Sequence, residues 1–295
     1  MAEASGMRKL AGAGLATAGA AVALLLLGAG SSGAAASDGA GHALIGEARR
    51  GSVTVRIAPA VDVVVSGARA AGRPIVVIDP GHGGRDPGAV SVSGAVAEKQ
   101  LALALARELR DRLVERGRVR VALTRDSDRY LTLEERAGVA RGLGASLFLS
   151  LHMDSAPNPL ARGASVYSLS DVASDAEAAR FAAAENAAGG VGIADGSVRS
   201  MLSDLALRSL MTASADLASR LVRKSAARVE MRPEPHRFAT FHVLRRAQAP
   251  AVLFEAGYVS NAEDELLLRS PEHRAALVAG LAETIEADVA ARSRR

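Results

Sequence analysis

The chain has 295 residues, 49% hydrophobic and 3% aromatic, with no cysteine, no tryptophan and a formal net charge of +4. That length supports one core of ordinary size or two small ones, and the missing cysteine excludes disulfides, thiol nucleophiles and thiolate metal sites. The mild positive charge permits contact with an anionic polymer without requiring it, and nothing in the chain calls for a nucleic-acid partner.

The amino terminus reads as an address. Met7, Arg8 and Lys9 precede an apolar run that includes Ala20 to Leu27, followed by Gly and Ser and then Ala34-Ala35-Ala36. This is the three-part pattern of an export signal, with Ala34 and Ala36 as the small pair before the cut. Residues 1–36 are therefore expected to be a cleaved signal peptide, and Met7 is an alternative start. The apolar centre is short and rich in small residues, so the mature chain is expected to keep no stable membrane span; a permanent anchor is the competing reading. Export without disulfides predicts a periplasmic protein that relies on its core, a metal, or both.

Residues 37–73 form a leader. Val53-Thr54-Val55-Arg56-Ile57 alternates and Val61 to Val65 is apolar, which suggests a short strand pair added at a sheet edge. Next, Ile75 to Ile78 reads as a strand covered on both faces. It stops at Pro80, and the loop Gly81-His82-Gly83-Gly84 lifts His82 off its end. Glu98 then opens a helix with Leu101, Leu105, Leu109 and Leu113 on one stripe. An acid in a first turn is either an ordinary partner of the positive helix end or something chemically more useful.

Arg118 to Thr124 reads as a second strand, Asp126-Ser127-Asp128 as a turn, and Thr132 with Glu135 as a capping box opening a helix that ends near Gly142 and Gly144. Ser146 to Leu151 is a third strand, with His152 directly after it. Alternating strands and helices predict an α/β fold with a mostly parallel twisted sheet and helices on both faces. Parallel strands share one carboxyl edge, where ligands collect, so His82 and His152 face the same rim unless they are two unrelated surface histidines.

Met153 to Pro159 is a loop and Gly163 to Leu169 another strand. Residues 171–228 are alanine-rich and mostly helical in pattern, broken at Gly189-Gly190 and near Asp195-Gly196. They form a helical insertion before the last strands, either a structural crossover or a regulatory element. The chain resumes at Pro233-Glu234-Pro235-His236-Arg237, then Phe241 to Leu244, then the apolar strand Ala251 to Phe254 with Glu255 at its end. A carboxylate there is costly unless a cation or hydrogen bonds offset it, so Glu255 is either functional or a solvated strand end. Ser260 to Glu263 caps one helix, and Pro271 to Arg292 supplies a closing amphipathic one.

His82, Glu98 and His152 make a two-histidine, one-carboxylate set, a ligand combination for hydrolytic zinc with an open position. Glu255 is the candidate carboxylate to take a proton and return it to a leaving amine. No His-Glu-x-x-His, Gly-x-Ser-x-Gly elbow or Walker loop is present, which leaves other hydrolase chemistries without residues.

Several blocks together resemble the zinc-dependent N-acetylmuramoyl-L-alanine amidases of the type-3 class. They are Val77-Ile78-Asp79-Pro80-Gly81-His82-Gly83-Gly84, Glu98-Lys99, Leu123-Thr124-Arg125, Ser150-Leu151-His152-Met153-Asp154 and Phe254-Glu255-Ala256-Gly257-Tyr258-Val259-Ser260-Asn261. The resemblance implies a catalytic domain over residues 74–292, zinc on His82, Glu98 and His152, and Glu255 as acid/base. It implies peptidoglycan as substrate, cut at the amide between N-acetylmuramic acid and L-alanine during wall remodelling and daughter-cell separation. Residues 171–228 resemble the insertion that lays a helix across the zinc in activator-controlled members, with Glu185 at the open position and a protein activator as partner. Met153 stands where the family usually has a smaller residue, and no separate targeting domain is evident. A zinc peptidase acting within the stem peptide and a non-catalytic wall-binding protein are the alternatives.

Overall fold

The structure, a computed structural model, describes residues 62–67, 72–189 and 201–294. The expected signal peptide, the strand pair around Val53 to Ile57 and the break near Asp195-Gly196 lie outside the described residues. Among those residues no helix is long and apolar enough to cross a membrane.

Seven strands form one sheet: β1 (Val65–Ser66), β2 (Ile75–Pro80), β3 (Arg120–Leu123), β4 (Leu147–Asp154), β5 (Ala164–Leu169), β6 (Met231–Ala239) and β7 (Ala251–Tyr258). Their spatial order is β1-β3-β2-β4-β7-β5-β6. The pairs β2–β3, β2–β4, β4–β7 and β5–β6 are parallel, whereas β1–β3 and β5–β7 are antiparallel. The central strands β2, β4 and β7 are continuously apolar over at least their first three residues because helices cover both of their faces.

The helices are α1 (Glu98–Arg116), α2 (Leu133–Gly142), α3 (Ala176–Ala188), α4 (Met201–Ser225), α5 (His242–Arg246), α6 (Ala262–Arg269) and α7 (Pro271–Arg292). The leucine stripe of α1 packs with Val76 and Ile78 of β2, Leu217 and Leu221 of α4, and Leu281 and Ile285 of α7 on one face. Val77, the intervening residue of β2, joins Phe148, Val139 of α2, Ala178 and Ala182 of α3, and Val243 of α5 on the other. This is the period of two that sends successive strand residues to opposite faces. Caps hold the helix ends. Gly117, at φ 68°, donates its N–H to Leu113 and Val114 carbonyls after α1, while Thr132 and Glu135 exchange hydrogen bonds at the start of α2.

The structure departs from the sequence reading at two strand ends and adds two features to it. His152 and Glu255 do not follow their strands; they lie inside β4 and β7, which run on to Asp154 and Tyr258. Parallel pairing between the two carries the ladder past the apolar run, with His152 in register with Glu255. Met231 to Ala239 is a full strand despite Pro233 and Pro235, which cannot donate to a ladder. It escapes that penalty because β6 is an edge strand paired only with β5, and its register shifts there. Finally, β5 runs against β7, so the repeating parallel pattern breaks at that pair.

Candidate active site

The site is built from the loop after β2 outward. Gly81 lies so close to His152 that a Cβ there would meet the imidazole at 2.4 Å, which is why this residue carries no side chain. His82 follows with φ 55°, a left-handed conformation that costs a non-glycine residue of order 1–3 kcal/mol. Two buried arginines hold that strained loop. Arg125 donates to the carbonyls of Pro80 (3.0 Å) and Gly81 (2.6 Å). Arg136 of α2 donates to the carbonyls of Pro80 (2.8 Å) and His82 (2.7 Å) and to Asp79 (2.8 Å). Asp79 also accepts from the hydroxyls of Thr124 and Ser150, so the buried charge is fully partnered.

His82 and His152 meet at the carboxyl rim with ring centroids 4.9 Å apart. Glu98, the first residue of α1, is buried between them. Its Oε1 lies 3.1 Å from His82 Nε2 and 3.0 Å from His152 Nδ1. Backbone N–H groups of Ala89 and Met153 donate to the same carboxylate and fix its direction. Glu98 is thus more than an acid at a helix end. Burial pushes its carboxyl up, but the hydrogen bonds from His152 and His82 outweigh that and hold it well below the usual carboxylate range. His82 shows the reciprocal effect: burial disfavours its charge, yet Asp86, at 2.9 Å from Nδ1, and Glu98 push it up to about 11.

Glu255 is wholly buried beside His152, and neither of its carboxylate oxygens has a hydrogen-bond partner among the described residues. Burial, followed by the negative charges of Asp154, Glu98 and Glu185, pushes it well above the ordinary range. On its other side Ser165 of β5 is in register with it, and the Ser165 hydroxyl is also buried without a partner among the described residues. Register places His152, Glu255 and Ser165 on one face of three adjacent strands.

Helix α3 lies over this face. Phe181 packs against Tyr167 (5.1 Å between centroids) and Phe241 (5.7 Å). At its far end Asn186 donates to the carbonyl of Thr240 and accepts from the N–H of His242, both at 2.8 Å. Glu185, one residue earlier, lies 3.8 Å from His82 Nε2 and 3.5 Å from His152 Nδ1. A small cleft beneath it is lined by His82, Asp86, His152 and Glu185.

These residues can hold a cation. One ligand atom each from His82, His152 and Glu185 lie within 4.8 Å of one another, and Glu98 contacts both imidazoles. His82 Nε2 is buried and faces the carboxylates of Glu98 at 3.1 Å and Glu185 at 3.8 Å, which favour positive charge at that point. Imidazole nitrogen and carboxylate oxygen are donors that suit a divalent ion. His82, Glu98, His152 and Glu255 come together, and Glu185, the residue the resemblance sets at the open position, lies beside them. Asp86, Arg125, Arg136 and Ser165 escaped notice as site residues. The buried Arg125 lies in a quoted motif, but its task is visible only once the loop carbonyls it serves are in place.

An α/β domain with buried imidazoles and carboxylates at the carboxyl rim of its sheet has its candidate site where open parallel sheets collect ligands, an arrangement that suits a hydrolytic enzyme. Residues 76–287 match the family described as N-acetylmuramoyl-L-alanine amidase. The chain is 34% identical over 223 residues to N-acetylmuramoyl-L-alanine amidase AmiA of Escherichia coli, covering 74% of this chain and 76% of that protein. It is 33% identical to N-acetylmuramoyl-L-alanine amidase AmiC of Neisseria meningitidis, covering 68% of this chain and 49% of the relative. Among solved structures, the catalytic domain of CwlV, an N-acetylmuramoyl-L-alanine amidase from Bacillus (Paenibacillus) polymyxa, matches with TM-score 0.53 at 28% identity, over 72% of this chain and 96% of that one. The chain belongs to the N-acetylmuramoyl-L-alanine amidase family and is an amidase of peptidoglycan.

Proposed function

We propose that this is an exported zinc amidase that hydrolyses the bond between N-acetylmuramic acid and L-alanine in peptidoglycan, in wall remodelling and daughter-cell separation. One observation carries the reading: a single carboxylate, Glu98, contacts both His82 and His152, while a second, Glu255, stands in register beside His152. In this reading residues 1–36 are a signal peptide, residues 37–73 a leader, and residues 74–292 the catalytic domain of a periplasmic enzyme.

His82, Glu98 and His152 would hold zinc. When bound, zinc supplies Lewis acidity that polarises an amide carbonyl and acidifies water. The remaining work belongs to the chain. Asp86 orients the His82 imidazole through Nδ1, and such a carboxylate partner raises ligand basicity. Glu255, buried among other carboxylates, is a carboxyl whose proton is held tightly, and a nearby cation opposes that effect. It is therefore suited to take a proton from attacking water at one carboxylate oxygen and return it to the leaving L-alanine nitrogen.

Glu185 would compete with substrate from α3, so the helix is autoinhibitory and a protein activator must draw it aside. Support comes from its 3.8 Å and 3.5 Å approaches to the two histidines. Purified protein should release stem peptides from sacculi and leave glycan strands free of L-alanine. Chelation should abolish release, and Glu185→Ala should raise it. Peptide release that survives both chelation and Glu255→Ala overturns the mechanism, and glycan that retains L-alanine assigns the chemistry to a peptidase instead.

A further inference from the structure

The first turn of α3 is held by an unusual grip. Arg237 of β6 pairs with Asp175 and also reaches Glu177 at 3.2 Å. Arg232, from the same strand, donates two parallel hydrogen bonds to Glu177, Nη1 to Oε1 and Nη2 to Oε2, each at 3.1 Å. This is the bidentate geometry in which guanidinium recognises carboxylate. The arginines are the rigid side of the contact. The Arg237 side chain is 5% exposed and that of Arg232 17%, whereas Asp175 and Glu177 are 41% and 45% exposed.

The arginines are also fixed without α3. Arg237 donates to the Tyr167 hydroxyl at 3.3 Å, and Arg232 to the Tyr258 hydroxyl at 2.6 Å. Tyr167 lies two residues along β5 from Ser165, the partner in register with Glu255, and Tyr258 is in register with Asp154, two residues beyond His152. Two strand residues span about 6.6 Å, so the tyrosines that anchor the guanidiniums start from backbone close to the candidate reacting groups. The Nε of Arg232 is buried and has no partner among the described residues, so this arginine has a donor to spare.

If α3 withdraws, as the proposed function requires, two largely buried cations lose their carboxylates. Leaving a buried charge unpaired is costly, and a ligand that brings carboxylates to the same positions offsets that cost. We infer that Arg232 and Arg237 form a carboxylate-binding subsite for an acidic peptide portion of the substrate, which Asp175 and Glu177 occupy by mimicry while α3 is seated. The helix then masks recognition at its first turn and the reacting groups at its last. Withdrawal uncovers both together, and substrates with free carboxylates compete for the pair.

The test is binding, which needs no turnover. Asp175→Ser with Glu177→Ala removes both carboxylates while serine keeps an N-cap oxygen for α3. The probes are an alanyl-glutamyl dipeptide with two free carboxylates and its diamide, titrated into the full-length protein. The double variant should bind the free dipeptide at least tenfold more tightly than the unaltered chain does and at least tenfold more tightly than it binds the diamide. Adding Arg237→Gln should erase that preference. Since Arg237 is buried, Arg232→Gln, at a more open position, supplies the same readout if the first variant does not fold. Equal affinity for free acid and diamide, or a preference that survives loss of either arginine, overturns the inference and leaves the pair as a clamp on α3. Hydrolysis of sacculi by Glu185→Ala, with both arginines intact, is scored separately, so failure of the amidase reading is distinguishable from failure of this subsite.

Discussion

Arg136 ties the strained histidine loop to the rest of the protein, and replacing it by methionine tests that role. The residue is 4% exposed, and its guanidinium makes three short bonds, to Asp79 Oδ1 and to the carbonyls of Pro80 and His82. Removing one partner of a buried ion pair costs about 3–5 kcal/mol. Here Thr124 and Ser150 still donate to Asp79, which favours the low end, but the His82 carbonyl loses its arginine donor at about 1–3 kcal/mol. Together these put Arg136→Met at about 4 kcal/mol, a large part of the roughly 5–15 kcal/mol that stabilises a domain. For a domain of this size the melting temperature should fall by about 10 °C. Urea unfolding of metal-free protein measures the loss, and a zinc-competition titration should show at least tenfold weaker binding, since the His82 carbonyl is no longer held. Asp79→Asn added to Arg136→Met should recover part of the stability, because the uncompensated charge is gone. A single variant within about 1 kcal/mol of the unaltered protein, or a double variant no better than the single, refutes the reasoning.

Glu255→Gln preserves shape and removes the proton acceptor, so kcat should fall by about 10²–10⁴ with zinc content unchanged, and loss of less than tenfold removes Glu255 from proton transfer. Burial opposes charge on Asp79, but Arg136 and the Thr124 hydroxyl outweigh it and hold the carboxyl below its ordinary range. The resulting stability is complete above the unfolded value of about 3.9 and is lost as pH falls through the lower folded one. The stability gap between the unaltered chain and Asp79→Asn should therefore narrow in urea titrations taken through that acid window; a constant gap contradicts the assignment. A Cβ on Gly88, at φ 66°, would meet Glu98 Oε2 at 2.5 Å and His82 Cδ2 at 2.6 Å, whereas one on Gly94, at φ 73°, meets nothing within 4 Å. Gly88→Ala should thus weaken zinc binding at least tenfold while Gly94→Ala leaves it unchanged, and equal affinities would argue against a tightly enclosed site.

Much of the secondary structure is legible in short stretches of chain. The leucine stripe from Leu101 to Leu113, the reciprocal cap of Thr132 and Glu135, and the Asn261 cap, which accepts from the N–H groups of Glu263 and Asp264, all act within a few residues and appear where the pattern predicts. The apolar runs of β2, β4 and β7 announce strands buried on both faces for the same reason. Prolines at 233 and 235 argue against β6 because a local rule cannot know that the strand lies at a sheet edge.

Sequence by itself determined the alternating strands and helices, the glycine loop bearing His82, and the short list of imidazoles and carboxylates from which a site could be drawn. Tertiary structure decided which of them meet. Strand order set His152 beside Glu255, the start of α1 pointed Glu98 between two rings, and the aromatic seat of α3 brought Glu185 onto the same point. Backbone preferences act over a turn or a pleat, whereas convergence depends on the sheet and on helices packed across it, and no window of the chain contains that distance.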